Sequence, residues 1–202
     1  MIGIGLVGVV AIIAASVKAS ASRTVDDSLQ ADFVLTPAGL GGAVSGVPPV
    51  VVDRVRDTPG VATVSEIRGE QWGLDGRTQT LLAVDPSTVT TMHKVDDSSA
   101  ASVRRLDDKG VLVRDTVAER YGWRVGDAVP MTFSRTGTRN MSLQGTFSTD
   151  AVRTDFVITL GACKANYAQV FALEVDVALA AGGERGRRPG GDRAGAGPTI
   201  RS

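Results

Sequence analysis

The hydrophobic pattern divides the chain into three stretches. From Met1 to Val17 (MIGIGLVGVVAIIAASV) seventeen residues pass without a charge before Lys18 ends the run. Apolar side chains fall on every side of a helix drawn through it, so it has no stripe to lay on a protein core. Its length lies at the short end of what spans a bilayer, and Gly3, Gly5 and Gly8 suit the close packing of membrane helices. The expected element is a transmembrane helix over 1–18. A cleaved signal peptide is the main rival, because Ala19-Ser20-Ala21 resembles a small-residue cleavage region. Against it, no basic segment precedes the run. A buried core helix is the third reading. Lys18 and Arg23 favour a cytoplasmic C-terminal flank if nothing precedes Met1, whereas a basic flank before Met1 reverses the inference. Charge alone therefore leaves orientation open.

Residues 19–180 carry short alternating segments. Residues 19–30 read as a helical continuation of the first run. Ala31 to Thr36 is a strand stopped by Pro37, and Gly39 to Pro49 is turn material. Val50 to Arg56 is a short helix, with Pro48 and Pro49 at the first turn, where proline is accepted. Val61 to Ile67 alternates apolar and polar residues, as a half-buried strand does. Asp75-Gly76 marks a two-residue hairpin turn, and Thr78 to Val84 is the returning strand. Pro86 to Asp107 is polar and reads as a helix with loops. Gly110 to Val113 is a strand, Arg114 to Tyr121 a helix, and Arg124 to Asp127 a turn into a strand from Ala128 to Phe133. Met141 to Thr146, Asp155 to Leu160 and Phe171 to Leu179 supply three more strands. Six or more strands interleaved with three or four short helices predict an α+β fold rather than a parallel-sheet enzyme.

Composition removes several functions. The charges balance, 22 basic against 22 acidic, and aromatic residues are 4% of the chain, so neither a basic field nor a stacking surface argues for nucleic acid. The single cysteine, Cys163, excludes an intrachain disulfide. The single histidine, His93, would need carboxylates and Cys163 to converge on it before a zinc site formed, and no ligand spacing in the sequence suggests that. Asp26-Asp27, Asp96-Asp97 and Asp107-Asp108 are adjacent acidic pairs. Neighbouring side chains diverge, so caps and loop ends are the expected roles. Ser99 and Ser102 have only His93 as a conceivable base, with no third partner evident. Gly3-x-Gly5-x-x-Gly8 matches the letters of a dinucleotide fingerprint without a strand before it or a βαβ unit around it. No nucleophile elbow, P-loop or Cys-x-x-Cys pair occurs. The expectation is a non-enzyme with no catalytic, cofactor-binding or metal-binding residues, no cofactor and no nucleic-acid partner.

The run from Gly110 to Val129 (GVLVRDTVAERYGWRVGDAV) resembles the extracytoplasmic domain of ABC-transporter permeases of the FtsX-like/MacB type: a strand, a short helix ending in glycine, then Val125-Gly126-Asp127 leading into a strand. Pro59 to Ser65 (PGVATVS) resembles the same family's element before its first central strands, and the apolar run lies upstream in the matching order. The resemblance covers roughly residues 1–180. It implies one N-terminal membrane helix (1–18) followed by a MacB-like domain (19–180) on the outer side of the cell membrane. It also implies a permease subunit that is not itself catalytic, works with a separate cytoplasmic ATP-binding subunit, and pairs as a dimer in the bilayer. The alternative is a membrane-anchored or secreted binding module with no transport activity.

The third stretch departs from that family, whose members continue into further membrane helices. Residues 182–197 hold seven glycines and four arginines in sixteen positions, with no apolar period. Such a segment buries too little to offset its chain entropy, so residues 181–202 are expected to be disordered. The Gly/Arg mixture is what GC-rich DNA yields in a shifted frame. The expectation is therefore a permease fragment, frameshifted near Ala180 and truncated before Met1, with a natural basic tail as the alternative. Translation of the gene's other frames tests it: no apolar segments downstream would sink the idea.

Overall fold

A computed structural model of the chain describes residues 19–22, 29–37, 46–148, 152–168 and 171–180. Residues 1–18 and 181–202 lie outside these, and with them the expected membrane helix and the expected tail. Among the described residues no helix is long and apolar enough to cross a membrane.

The fold is mixed α+β. Among the described residues nine strands form one sheet: β1 (Ala19–Ser22), β2 (Phe33–Pro37), β3 (Val61–Leu74), β4 (Arg77–Val84), β5 (Gly110–Arg114), β6 (Ala128–Phe133), β7 (Gly137–Phe147), β8 (Phe156–Thr159) and β9 (Glu174–Leu179). The described helices are α1 (Pro49–Arg56), α2 (Pro86–Met92), α3 (Asp97–Arg105), α4 (Asp115–Tyr121) and α5 (Leu160–Asn166). Strand order is β1-β2-β9-β3-β4-β8-β5-β7-β6. Only β4–β8 and β5–β7 are parallel. The sheet curls until β6 meets β3 at Gly73 and Thr132, which closes β3-β4-β8-β5-β7-β6 into a ring. A Cβ on Gly73 would lie 3.3 Å from the Thr132 Cβ, so the missing side chain is what lets the two strands approach.

Strand alternation fills this ring. Trp72 and Leu74, Leu81 and Ala83, Val111 and Val113, Val129, Met131 and Phe133, Phe156 and Ile158 all point inward into one buried cluster. Trp72 and Phe156 meet edge to face with centroids 4.6 Å apart. The opposite faces of β4, β5 and β8 present Val84, Leu112 and Val157 outward, where α2 and α3 lie. That explains why every residue from Gly110 to Val113 is buried: a strand covered on both faces loses the alternation that marks a half-exposed one. β7 changes face partway along. Leu143 pairs with Val111 and Gly145 with Leu112, leaving Gln144 as a bulge. Met141 and Leu143 therefore fill the ring, while Phe147 packs outside it. Gln144 is held by Asp107, accepting from its backbone amide at 2.9 Å and donating to its carboxylate at 2.8 Å. The amide occupies space beside Gly110 that a Cβ would fill, at 2.2 Å from the Gln144 Cδ.

Several expectations are corrected. Ala19–Ser22 is a strand paired antiparallel with β2, not a helical continuation; the tertiary pairing with β2 satisfies its backbone groups and overrides local helix propensity. β3 runs seven residues beyond Ile67 to Leu74, through Arg68 and Glu70, because charge pairing lets Arg68 lie buried in the sheet. The expected strand ending at Leu160 stops at Thr159, whose hydroxyl accepts from the Ala162 amide at 3.0 Å and caps α5, a helix the sequence pattern does not reveal. Pro86 to Asp107 resolves into two helices. β9 starts at Glu174 rather than Phe171.

Candidate functional site

The outer face of the sheet, beneath α2 and α3, carries both a cavity and a polar cluster. The cavity has a volume of about 440 Å³ and is walled by Ile67, Leu82, Val89, Val103, Leu112 and Phe147, with Thr90, His93, Arg153 and Glu174 among its polar lining. Helix α3 cannot close it: it is nine residues long, starts at the Asp96 cap and directs Ser99, Ala100 and Ser102 at the sheet. Ser102 lies over Gly145, where an added Cβ would come within 2.9 Å of its Oγ. Small residues bring the far part of α3 down onto β7, and the larger apolar side chains line the space beside it.

At the rim stands His93, the residue that ends α2 in extended conformation. Its Nε2 lies 2.8 Å from Oδ2 of Asp176 on β9, and Glu174 is the next residue on the same face of that strand. Asp176 is fully buried, His93 is 25% exposed and Glu174 is half-buried. One donor atom from each lies within 4.8 Å of the others. The hydrogen bond from Asp176 raises the His93 pKa above 6.5, with the charges of Asp176 and Glu174 adding to it against the effect of burial. Burial raises the Glu174 pKa above its ordinary value, and the nearby Asp176 charge pushes it the same way. Oδ1 of Asp176 is buried without a hydrogen-bond partner. Together these place two carboxylates and one imidazole in a cluster that has no arginine or lysine ion pair among the described residues, although Arg153 lines the same cavity.

Sequence reasoning assigned no role to Glu174 or Asp176. They alternate with Val175 and Val177 along the expected strand, and the pairing of β9 between β2 and β3 puts them under α2. The requirement that carboxylates converge on His93 is met, 81 and 83 positions along the chain, while Cys163 lies elsewhere: it is fully buried in the ring core, where burial pushes its thiol pKa up to about 11. The acidic pairs have the structural roles expected where they are described. Asp96 caps α3, and hydrogen bonds from the Ser98 hydroxyl and the Ser99 amide hold its pKa at about 2. Asp107 ties Lys109 and Gln144, and Asp108 accepts from the Thr159 hydroxyl. Asp26 and Asp27 lie outside the described residues. Asp176 supplies His93 with the acidic partner that sequence did not show, yet no hydrogen bond joins Ser99 or Ser102 to His93 among the described residues.

The Gly110–Val129 segment is built as its pattern predicts. Gly122 closes α4 at φ 68° and its amide bonds back to Ala118 and Glu119. Gly126 sits at φ 100°, and the Asp127 carboxylate accepts the Arg124 amide at 2.7 Å. The turn is stitched to β7 by Gly126 N–H to Leu143 O and Leu143 N–H to Asp127 O, each 2.8 Å. Val117 and Ala118 are buried, whereas Tyr121 is 40% exposed and stacks on Trp123 at 4.5 Å instead of entering the core.

Among solved structures, the chain is similar to a domain assigned to a permease protein from Porphyromonas gingivalis, at TM-score 0.45 and 17% identity over 68% of this chain and 65% of that one. It is also similar to the periplasmic region of MacB from Actinobacillus actinomycetemcomitans, at TM-score 0.46 and 8% identity over 72% of each. The chain thus spans 65% of the length of the permease domain. Likeness at this level says nothing of activity. No family model and no curated protein matches the chain.

Proposed function

We propose that residues 19–180 are the extracytoplasmic domain of a permease subunit of the FtsX-like/MacB type, anchored by a membrane helix at 1–18. The observation that carries the reading is the Gly110–Val129 segment. Its sequence resembles that family, and each of its marked residues has a structural job: Gly122 ends α4, Gly126 takes a left-handed turn, and Asp127 ties the turn that leads into β6. The Pro59 to Ser65 element agrees, since Gly60 turns at φ 91° directly into β3. On this reading the domain is non-catalytic. A separate cytoplasmic ATP-binding chain supplies the energy, and a pair of permease subunits in the bilayer carries the motion outward.

The test is topological. Glu119 is exposed on α4 and Cys163 is buried, so a Glu119→Cys variant offers a single reactive thiol. In spheroplasts it should react with a membrane-impermeant maleimide, and the protein should stay with membranes after carbonate extraction. Labelling only after permeabilisation, or release by carbonate, overturns the reading.

The cavity favours a second reading, a binding module that takes an apolar ligand without transport. Its volume is within the range of small-molecule sites. Saturable uptake of a solvatochromic apolar dye, abolished by Val103→Phe, would support it, and the same dye response in that variant would reject it.

A further inference from the structure

We propose that His93, Glu174 and Asp176 form a binding site for a borderline divalent metal ion of the Zn2+ class, independently of the transport reading. Three observations point there. The donor atoms come from two separate elements, the end of α2 and β9, and lie within 4.8 Å of one another. Such convergence of an imidazole with two carboxylates matches the nitrogen–oxygen sets that hold zinc, and it differs from the all-oxygen sets of calcium and magnesium. Asp176 is fully buried, with Oδ2 on His93 and Oδ1 on nothing. A buried carboxylate oxygen with no donor is costly, and a metal ion would satisfy it.

The charge balance gives the third observation. Two carboxylates face one imidazole, so a protonated His93 supplies a single positive charge against two negative ones. On the other face of β3 the carboxylate is matched by cations: Glu66 is held by two guanidinium groups, Arg56 at 2.9 Å and Arg68 at 2.6 Å, although Nη1 of Arg68 is itself buried without a hydrogen-bond partner. The His93 site has no arginine or lysine ion pair among the described residues. A divalent cation in place of the proton shared by His93 and Asp176 brings the site to neutrality. Binding releases that proton, and any proton on Glu174, to solvent. Three protein donors leave a fourth tetrahedral position. Because His93 and Glu174 both line the cavity, that position opens toward it.

The sequence makes the test unusually clean. The full chain holds one histidine and one cysteine, and Cys163 is buried in the ring core, so any imidazole-type metal spectrum must come from His93. The metal-free full chain, purified in detergent, is titrated with Co2+ and Zn2+. Expected are a saturable Co2+ visible absorption band, a single equivalent of Zn2+ that displaces it, proton release into weak buffer, and a melting temperature that rises with free Zn2+. His93→Ala and Glu174→Gln should each weaken Zn2+ binding by more than about tenfold, since losing even an outer supporting group commonly costs that much. Glu174→Gln is isosteric at a half-buried position, so its far-UV circular dichroism should match the parent and separate lost binding from lost folding. No Co2+ band at millimolar metal overturns the proposal. So does Zn2+ binding that is unchanged in both variants, since that would come from scattered carboxylates.

Discussion

Two buried carboxylates lie one step apart on neighbouring strands and face opposite ways. Glu66 pairs across the sheet with Val175, and Asp176 with Ser65, so Glu66 points to the α1 side and Asp176 to the α2 side. The first is 5% exposed and saturated by Arg56 and Arg68. The second is more deeply buried, yet it has one hydrogen bond, from a residue that carries charge only when protonated. The α1 face uses its charges to hold the sheet together. The α2 face has an unsaturated acid beside a cavity. Charge pairing and open space are thus divided between the two sides of the same strands.

The two faces should differ most at Glu66. Glu66→Ala leaves Arg68 buried with its partner gone, and chemical denaturation should report a loss of about 3–5 kcal/mol. Asp176→Asn removes a charge that is poorly compensated, so its cost should stay near 1 kcal/mol, roughly that of one hydrogen bond. Equal losses at the two positions would mean that the faces do not differ. Within the ring, Phe156→Ala should likewise cost about 3–5 kcal/mol. Val103→Leu at the cavity wall should change stability by less than about 1 kcal/mol in either direction, because there is space to accept the added methylene.

The α2 face should also respond to pH. His93 has a folded pKa raised above 6.5, so the stability it contributes is present below 6.5 and lost as pH rises through the folded value. Glu174 has a folded pKa raised above 4.5, so its carboxylate form opposes folding and stability falls again as pH rises past 4.5. Both slopes have the same sign. The melting temperature should decline from about pH 5 to about pH 8 in metal-free protein, and the decline should flatten in Glu174→Gln. A profile that rises over this interval would contradict the assignment. The smallest effect concerns Cys163. With its thiol pKa pushed up to about 11 in the ring core, it should resist thiol reagents at neutral pH until denaturant is added.

What the sequence disclosed follows from where each signal originates. Asp75-Gly76 was legible because both residues need positive φ, 49° and 75°, a local demand that few residue pairs satisfy. The Gly122 stop and the Gly126 turn were legible for the same reason, and α1 from the prolines at its first turn. Long-range features were not. Nothing local states that Gln144 would bulge and turn Phe147 to the other face, since that depends on its register with β5. Arg68 and Glu70 broke the expected strand because charges look like a loop until their partners are known. The candidate site is hidden most completely: no spacing says which carboxylates reach His93, and the two that do lie 81 and 83 residues further on, brought close by β9 inserting between β2 and β3.

The contact at Gly73 and Thr132 also bears on how the domain would come apart under load. In an open sheet, either outermost strand can be peeled away one hydrogen bond at a time. Here β6 touches β3 at one residue pair, so among the described residues β1 is the strand with no pairing at all on its outer side. A pull transmitted through the chain before Ala19 would meet that strand first and unzip β1 from β2. The strands beyond β3 are held by longer ladders, six residue pairs between β6 and β7 and five between β5 and β7. Mechanically the molecule has a compliant handle and a stiff body, and the site at β9 sits on the seam between them.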